Sequence, residues 1–479
     1  MSIYKSLFKQ TMIYGLATVL PRMISFLLNP LYVHSLPKNE FADVSIIFAY
    51  LVFFNVVLSY GMETAFFRFY NSEKNKTSVT ATTTLSILYS TIFFLIIAFL
   101  FRQSLAQITN INVIYIEFTI FILVFDALTI VPFSKLRAEK KPNLYAILKI
   151  GNVIVNLLLT VFFLIFLPKI IAANSNSIFQ FIYLKNFQVG YIFLSGLVAS
   201  LLTFMMLLPN YFNLKGQFDT KLWKKMMAYG LPILIAGIGF AINEHFDKIL
   251  LDKLHVPKSE IGAYAACYKI GMFMVLFRTA YTLGIEPFFF SHAENQNAPQ
   301  TYATITKYFV ILGSFILLFV IVFIDFLKVI LVPNDSYWSA IKVVPLIVLA
   351  NFFLGIYTNL SVWYKLTNQT KMGAYISLIG AAITLLLNFL LIPYISYYGS
   401  AIATIAAYGS MMFISYYLGQ KYYPIPYDKI KIFGYLTISI AFSFLSFYVF
   451  RANYFVGAVF ILAFAAYIYK NEKAILKAL

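Results

Sequence analysis

Cysteine is all but missing from this chain of 479 residues: Cys267 stands alone, so an internal disulfide is excluded, and it reads as a small apolar residue within a helix. Charge is also scarce, at 11% of residues, with only 18 Asp and Glu against 36 Lys and Arg. No soluble domain manages with so little. The four histidines, His34, His245, His255 and His292, show no metal-ligand spacing, and neither a metal nor a cofactor is expected. Long polar loops are missing too. What fills the space is apolar: 61% of residues are hydrophobic and 19% aromatic, arranged in runs of about 20 residues, each able to cross a ~30 Å hydrocarbon core as a helix. Barrel strands would alternate instead. The fold class that follows is an all-α polytopic membrane protein.

Apolar windows predict about fourteen spans, the first near 10–34 and the last near 453–470. An even number places both termini on one side. If that side is the cytoplasm, most of the basic residues fall on inner loops, notably "SKLRAEKK" (Ser134 to Lys141) and "LKGQFDTKLWKK" (Leu214 to Lys225), as the positive-inside rule requires. The net charge of +18 is therefore assigned to the membrane surface, with no nucleic-acid partner. At the N-terminus no small-residue cleavage site follows the apolar stretch, which reads as a retained first helix.

The chain also resembles itself. "YGL" at Tyr14 to Leu16 returns at Tyr229 to Leu231, "PKNE" at Pro37 to Glu40 as "PKSE" at Pro257 to Glu260, and "GMETAFF" at Gly61 to Phe67 as "GIEPFFF" at Gly284 to Phe290. Six spans separate the copies, so the halves point the same way, related by a pseudo-two-fold axis along the membrane normal. The expected organisation is an N-lobe over 1–210 (helices 1–6), a cytoplasmic amphipathic linker over 211–225, a C-lobe over 226–420 (helices 7–12) and two further helices with a short tail over 421–479. A central cleft between the lobes follows from this organisation.

Charges inside such a chain need individual accounts. Glu63 and Arg68 are five residues apart, about 140° around a helix, so they do not pair with each other. Arg68 can snorkel to the inner interface, whereas Glu63, one to two turns deeper, needs a partner on another helix or a wet cavity. The repeated Gly-x-Glu makes Glu63 and Glu286 candidates for a shared scaffold, with Glu63 also a candidate protonatable site. Asn39 with Glu40, and Ser259 with Glu260, read as helix caps followed by first-turn acids. Glu244 and Lys248 have the spacing of a supporting i,i+4 pair. Pro21 and Pro30 in helix 1 and Pro232 in helix 7 are expected to interrupt their helices.

Four cations lack such bland explanations. Arg22 lies about 18 Å from either end of helix 1, beyond the reach of snorkelling, and Arg278 is equally central in helix 8. A cation at mid-depth costs about 2.5 to 3.5 kcal/mol even on the lenient insertion scale, so each should face protein or water. The repeat carries neither charge into the other half, so the scaffold does not demand them, and attraction of an anion is their expected role. Lys149 and Lys269, nearer the ends, are candidates for either structure or binding. Among the acids, Asp126 in "LVFDALT" is deep enough to be either a counter-ion or a coupling site for a proton or sodium ion.

The middle of the chain, "LWKKMMAYGLPILIAGI" (Leu222 to Ile238), "FDKILLDKL" (Phe246 to Leu254) and "IGAYAACYKIGMFM" (Ile261 to Met274), resembles the polysaccharide transporter family of bacterial flippases, within the superfamily of multidrug, oligosaccharidyl-lipid and polysaccharide exporters. The resemblance implies a carrier of undecaprenyl-diphosphate-linked oligosaccharides in the bacterial inner membrane, serving the O-antigen of lipopolysaccharide, capsule or another surface polysaccharide. By position, Arg22, Arg278 and Asp43 would correspond to the helix 1 and helix 8 cations and the helix 2 acid of related lipid II flippases. Physically, a diphosphate diester with about two negative charges suits guanidinium groups, which bind phosphate oxygens as a bidentate fork. Expected substrate contacts are thus Arg22, Arg278, Lys269 and Lys149, with Asp126 or Glu63 for coupling to a proton or sodium ion. Two alternatives stand beside this reading. A multidrug or cation antiporter on the same scaffold would need an acid in the cleft, where helix 1 offers an arginine. An integral membrane polymerase would need catalytic groups, and neither an Asp-x-Asp site nor a His and acid at catalytic spacing is present.

Overall fold

A computed structural model describes residues 13, 15–17, 19–24, 26–174, 177–293, 295–367 and 369–476. Among them are fourteen helices long and apolar enough to span a membrane: α1 Gly15–Ser35, α2 Lys38–Ser72, α3 Lys76–Leu100, α4 Val113–Ala138, α5 Pro142–Ala173, α6 Gln188–Phe212, α7 Thr220–Lys253, α8 Lys258–Glu286, α9 Ala298–Val322, α10 Asp335–Leu366, α11 Thr370–Ile395, α12 Tyr397–Tyr422, α13 Lys429–Tyr448 and α14 Tyr454–Lys473. Helices dominate because lipid offers no partner for a backbone N–H or C=O, so each segment must satisfy its own. Side chains such as Phe93, Phe433 and Phe455 are exposed on the protein surface, where acyl chains are their solvent. The faces are called inner and outer here after the charge bias of the loops.

Several spans are broken, and the breaks have local causes. In α2 the helix runs from Lys38 to Ser59 and resumes at Met62, with Tyr60 and Gly61 both left-handed at φ 30° and 75°. Gly61 has a second constraint: a Cβ there would lie 2.2 Å from the carbonyl oxygen of Gly230 in α7. Only glycine combines that conformation with that approach. In α5 a π-helical stretch, Phe162–Phe166, precedes Pro168 and absorbs the hydrogen bond that the proline does not make. In α8 a 3₁₀ turn, Lys269–Gly271, separates Lys258–Tyr268 from Met272–Ser291. Of the two interruptions expected in α1, one occurs, at Leu28 before Pro30, while residues 19–24 are helical through Pro21. That of α7 does not: Thr220–Lys253 is one helix with Pro232 inside it.

The helix starts also differ from expectation. Asn39 and Ser259 do not cap; α2 begins at Lys38 with Pro37 in the capping position, and α8 begins at Lys258, which leaves Asn39 and Ser259 inside their first turns. Proline supplies an extended φ and ψ before Lys38 without any side-chain bond. Glu40 and Glu260 do lie in first turns, and Glu260 accepts a bond from Ser396 at 2.6 Å. Lys248 bonds its neighbour Asp247 at 2.8 and 2.7 Å, while Glu244 approaches His245 at 3.6 Å.

Chain packing divides the molecule into two compact units, Met1–Lys258 and Ser259–Leu479. The seventh span therefore packs with the first unit, whereas the sequence repeat places its start at the head of the second half. The first unit explains this locally. Asp219 caps α7 by accepting from the Leu222 N–H, its own N–H donates to Thr82, and Trp223 Nε1 donates to Ser86 at 2.8 Å. Leu222 and Met226 then enter an apolar cluster with Met62, Ala65 and Phe66 of α2, Val79 and Ile87 of α3, and Val131 of α4.

In the second unit α10, α11 and α12 share a core built on Leu354, Trp363, Ile376, Tyr408 and Met411. The helices outside the repeat, α13 and α14, are tied to α9 at both ends. At one end Lys307 of α9 donates to Glu472 of α14 at 2.6 Å, and Tyr435 and Lys431 of α13 reach the same carboxylate at 2.8 and 3.3 Å. At the other, Asp325 just beyond α9 accepts from Lys328 at 2.5 Å and from Arg451 at 3.1 and 3.2 Å. Burial raises the Asp325 carboxyl, but the bonds from Arg451 and Lys328 outweigh it and hold the group below the ordinary aspartate range.

Candidate functional site

The first unit gathers three of the six predicted site residues into one electrostatic neighbourhood. Asp126 sits on α4 about 18 Å from that helix's inner end, as twelve residues at 1.5 Å require. It accepts a hydrogen bond from Ser200 Oγ of α6 at 2.7 Å and another from the Asn55 side chain of α2, and the Lys149 ammonium of α5 acts on it through space. Lys149 lies one to two turns nearer the inner face, its Nζ 4.3 Å from the centroid of the Phe133 ring. Asp126, Glu63 and Arg137 all contribute to the potential it feels. Among the described residues no carboxylate comes within ion-pair distance of that ammonium.

Glu63 has found its partner on another helix. Arg137 Nη1, at the inner end of α4, donates to Glu63 Oε1 at 2.8 Å, with the guanidinium 5.8 Å from the Phe67 ring centroid. Arg68 instead lies over Tyr229, 4.3 Å from its centroid. The second unit repeats the arrangement: Glu286 of α8 pairs with Lys365 at the end of α10. An acid in Gly-x-Glu thus meets a base at the end of the helix two spans later, once in each unit. That recurrence favours the scaffold reading of Glu63 and Glu286. Arg137 and Lys365 could not be assigned partners from the sequence, since each looked like one more basic residue of an inner collar.

The remaining predicted residues are placed separately. Arg22 is exposed on α1 of the first unit. Arg278 is buried in α8 of the second, at 7% exposure, and Lys269 is half-buried at the first position of the 3₁₀ break in the same helix. One turn beyond Arg278, Tyr281 donates to Asn359 of α10 at 2.5 Å, and both line a narrow pocket with Glu286 and Lys365. Asp43 near the outer start of α2 accepts from Lys258 at 2.5 Å, and the same ammonium donates to the Asn110 carbonyl at 2.7 Å. Neither Lys258 nor the Ser200 and Asn55 donors to Asp126 stood out in the sequence, where hydroxyls and amides on apolar helices are common.

Chemically, the first unit offers two acids and two bases in which one pair is closed and the other open. Glu63 and Arg137 compensate each other at contact. Asp126 and Lys149 compensate each other only at a distance, so the ammonium keeps three donors available to an anion.

Solved structures share the fold, among them the following three. A lipid II flippase MurJ in an inward closed conformation aligns with a TM-score of 0.71 at 14% identity, over 96% of this chain and 99% of that one. An inward-facing multidrug resistance MATE family transporter of the MOP superfamily aligns at 0.65 and 11%, over 86% and 95%. A MOP superfamily transporter from Pyrococcus furiosus Vc1, described as having a binding pocket of reverse polarity, aligns at 0.61 and 12%, over 86% and 95%. No curated protein matches the chain. The model of the family described as polysaccharide biosynthesis protein matches residues 7–292, more than half the chain, and with the fourteen spans and the MurJ- and MATE-like fold already in view, the chain belongs to that family of membrane transport proteins.

Proposed function

We propose that this protein is a flippase that carries an undecaprenyl-diphosphate-linked oligosaccharide from the inner to the outer leaflet of a bacterial inner membrane, for surface polysaccharide synthesis, with both termini in the cytoplasm. The observation that carries this reading is Lys149, a cation within the membrane that meets an aromatic face and no carboxylate at contact. Keeping such a charge in place costs free energy that a structural role would recover through a closed ion pair, as Lys307 and Glu472 do. An anionic cargo recovers it instead. Arg22 and Arg278 would engage the diphosphate, and Lys269 at the break of α8 would assist. Asp126 is the residue assigned to ion coupling. Family membership and the likeness of fold to a lipid II flippase support the substrate class. A carrier of cationic drugs is disfavoured because α1 holds Arg22 and no Asp or Glu.

The experiment is translocation of a fluorescent short-chain lipid-diphospho-sugar in proteoliposomes. Wild-type protein is expected to expose the sugar to the opposite leaflet without altering it covalently. Arg22→Ala and Arg278→Ala are each expected to reduce the rate at least tenfold while inserting normally. Equal rates for both variants would refute the assignment of the diphosphate to these residues, and covalent products would replace the flippase with an enzyme.

A further inference from the structure

The open pair in the first unit has a consequence that rests on the flippase reading and extends it. Asp126 is the acid without a cation at contact, and Lys149 is the cation without an acid at contact. We propose that Lys149 is shared between Asp126 and the incoming diphosphate, so that capture of the lipid-linked sugar at the inner side is accompanied by uptake of one proton at Asp126.

The chemistry is a competition for one ammonium. Lys149 sits on a flexible four-carbon stem and, unlike Arg137, is not tethered by a carboxylate. A diphosphate diester with about two negative charges outcompetes a single carboxylate that acts only at a distance. Once the ammonium turns to the phosphate oxygens, the Asp126 carboxylate is left in the membrane interior with two neutral partners, Ser200 and Asn55. Burying a lone charge is far costlier than burying a neutral acid, so the carboxylate takes a proton from water and no other bond changes. Both partners accommodate either state: a hydroxyl donates to the carboxylate and accepts from the acid, and an amide presents N–H or C=O.

The elements packed on α4 supply few other charges that could take over the role of Lys149: the short helix Arg102–Thr109 brings Arg102, which Glu117 of α4 already engages at 2.8 Å, and α4 itself adds Lys135 and Arg137 at its inner end. α6 carries none, and α3 has Lys76 at its first position. α2 has Lys38, Glu40 and Asp43 in its outer turns and Glu63 and Arg68 in its inner ones, and α5 has Lys169 at its far end. Glu63 is already engaged by Arg137, and Asp43 by Lys258.

The test is calorimetric binding of farnesyl-diphospho-N-acetylglucosamine to the full chain in nanodiscs, in two buffers of different ionisation enthalpy, from pH 5.5 to 8.5. This probe is a diphosphate diester, so it does not titrate in that range. Wild-type protein is expected to take up a fraction of a proton per ligand that rises towards one and to bind more tightly as pH falls. Asp126→Asn is expected to bind with no uptake and a flat pH profile, Lys149→Gln to lose at least tenfold in affinity together with the uptake, and Lys149→Arg to recover binding. Binding by the wild type with no proton uptake, at any pH tested, overturns the shared lysine and leaves the flippase reading standing. Undiminished uptake in Asp126→Asn, or undiminished affinity in Lys149→Gln, overturns it as well. If the wild type does not bind the probe at all, both this inference and the anionic cargo fail together.

Discussion

Glu472 offers the sharpest test of how the second unit is held together. Its carboxylate is 2% exposed and accepts from Lys307 at 2.6 Å, Tyr435 at 2.8 Å and Lys431 at 3.3 Å. Glu472→Gln keeps the shape and leaves a partner for Tyr435, but strands the Lys307 ammonium, whose side chain is 8% exposed. Breaking one side of a buried pair costs about 3 to 5 kcal/mol, because the surviving charge remains without compensation. The reverse change is cheaper. Lys307→Met leaves Glu472 with Tyr435 and with Lys431, which is 32% exposed and already in place, so about 1 to 3 kcal/mol is expected. In the double variant the two losses should fall short of their sum by more than 1 kcal/mol, as they remove the same interaction. Cys267 makes the assay simple. It is the one thiol of the chain, fully buried in α8 of the same unit, so a thiol-reactive fluorogenic dye reports opening of that unit on heating at a fixed scan rate. The order expected for the midpoints is wild type, then Lys307→Met, then Glu472→Gln, with the double variant well above the additive value. A Glu472→Gln midpoint equal to wild type, or additive losses in the double variant, would refute the clamp between α9, α13 and α14.

Other outcomes follow from the same structure. Asp325, held below the ordinary carboxylate range by Arg451 and Lys328 against the opposing effect of burial, contributes stability that is fully present above the unfolded aspartate value near 3.8 and lost as pH falls through the lower folded value. Midpoints followed by circular dichroism should therefore drop on acidification below about pH 4 in the wild type, and less steeply in Asp325→Asn. Gly61→Ala places a Cβ 2.2 Å from the Gly230 carbonyl oxygen at a φ of 75°, so it should cost several kcal/mol, roughly 3 or more, and deplete the protein from membranes. Gly151→Ala, with nothing within 4 Å, should leave both abundance and midpoint near wild type when immunoblots and dye melts are compared.

Much of the architecture was legible before any coordinates, and particular residues show why. The spans were readable because bilayer thickness imposes length and polarity on each segment separately, which is why about fourteen apolar windows became fourteen helices among the described residues. The Gly-x-Glu repeat was readable as a shared feature, and its acids do pair alike in both units. Local rules misled where two of them competed. Pro37 displaced Asn39 from the cap of α2 because a fixed φ already gives the chain the turn it needs. Pro232 left α7 unbroken, while Tyr60 and Gly61 broke α2 at its close approach to Gly230, a contact invisible along the sequence.

The sequence by itself determined the class of solvent, the number of crossings, the family and the presence of charges too deep to be incidental. Only the tertiary structure decided which charges are closed and which are open: Glu63 with Arg137, Lys307 with Glu472, and Lys149 with an aromatic ring and no acid at contact. The reason is geometric. A bilayer reads each helix alone, by length and polarity, whereas the meeting of two side chains depends on the rotation, breaks and packing of every helix around them.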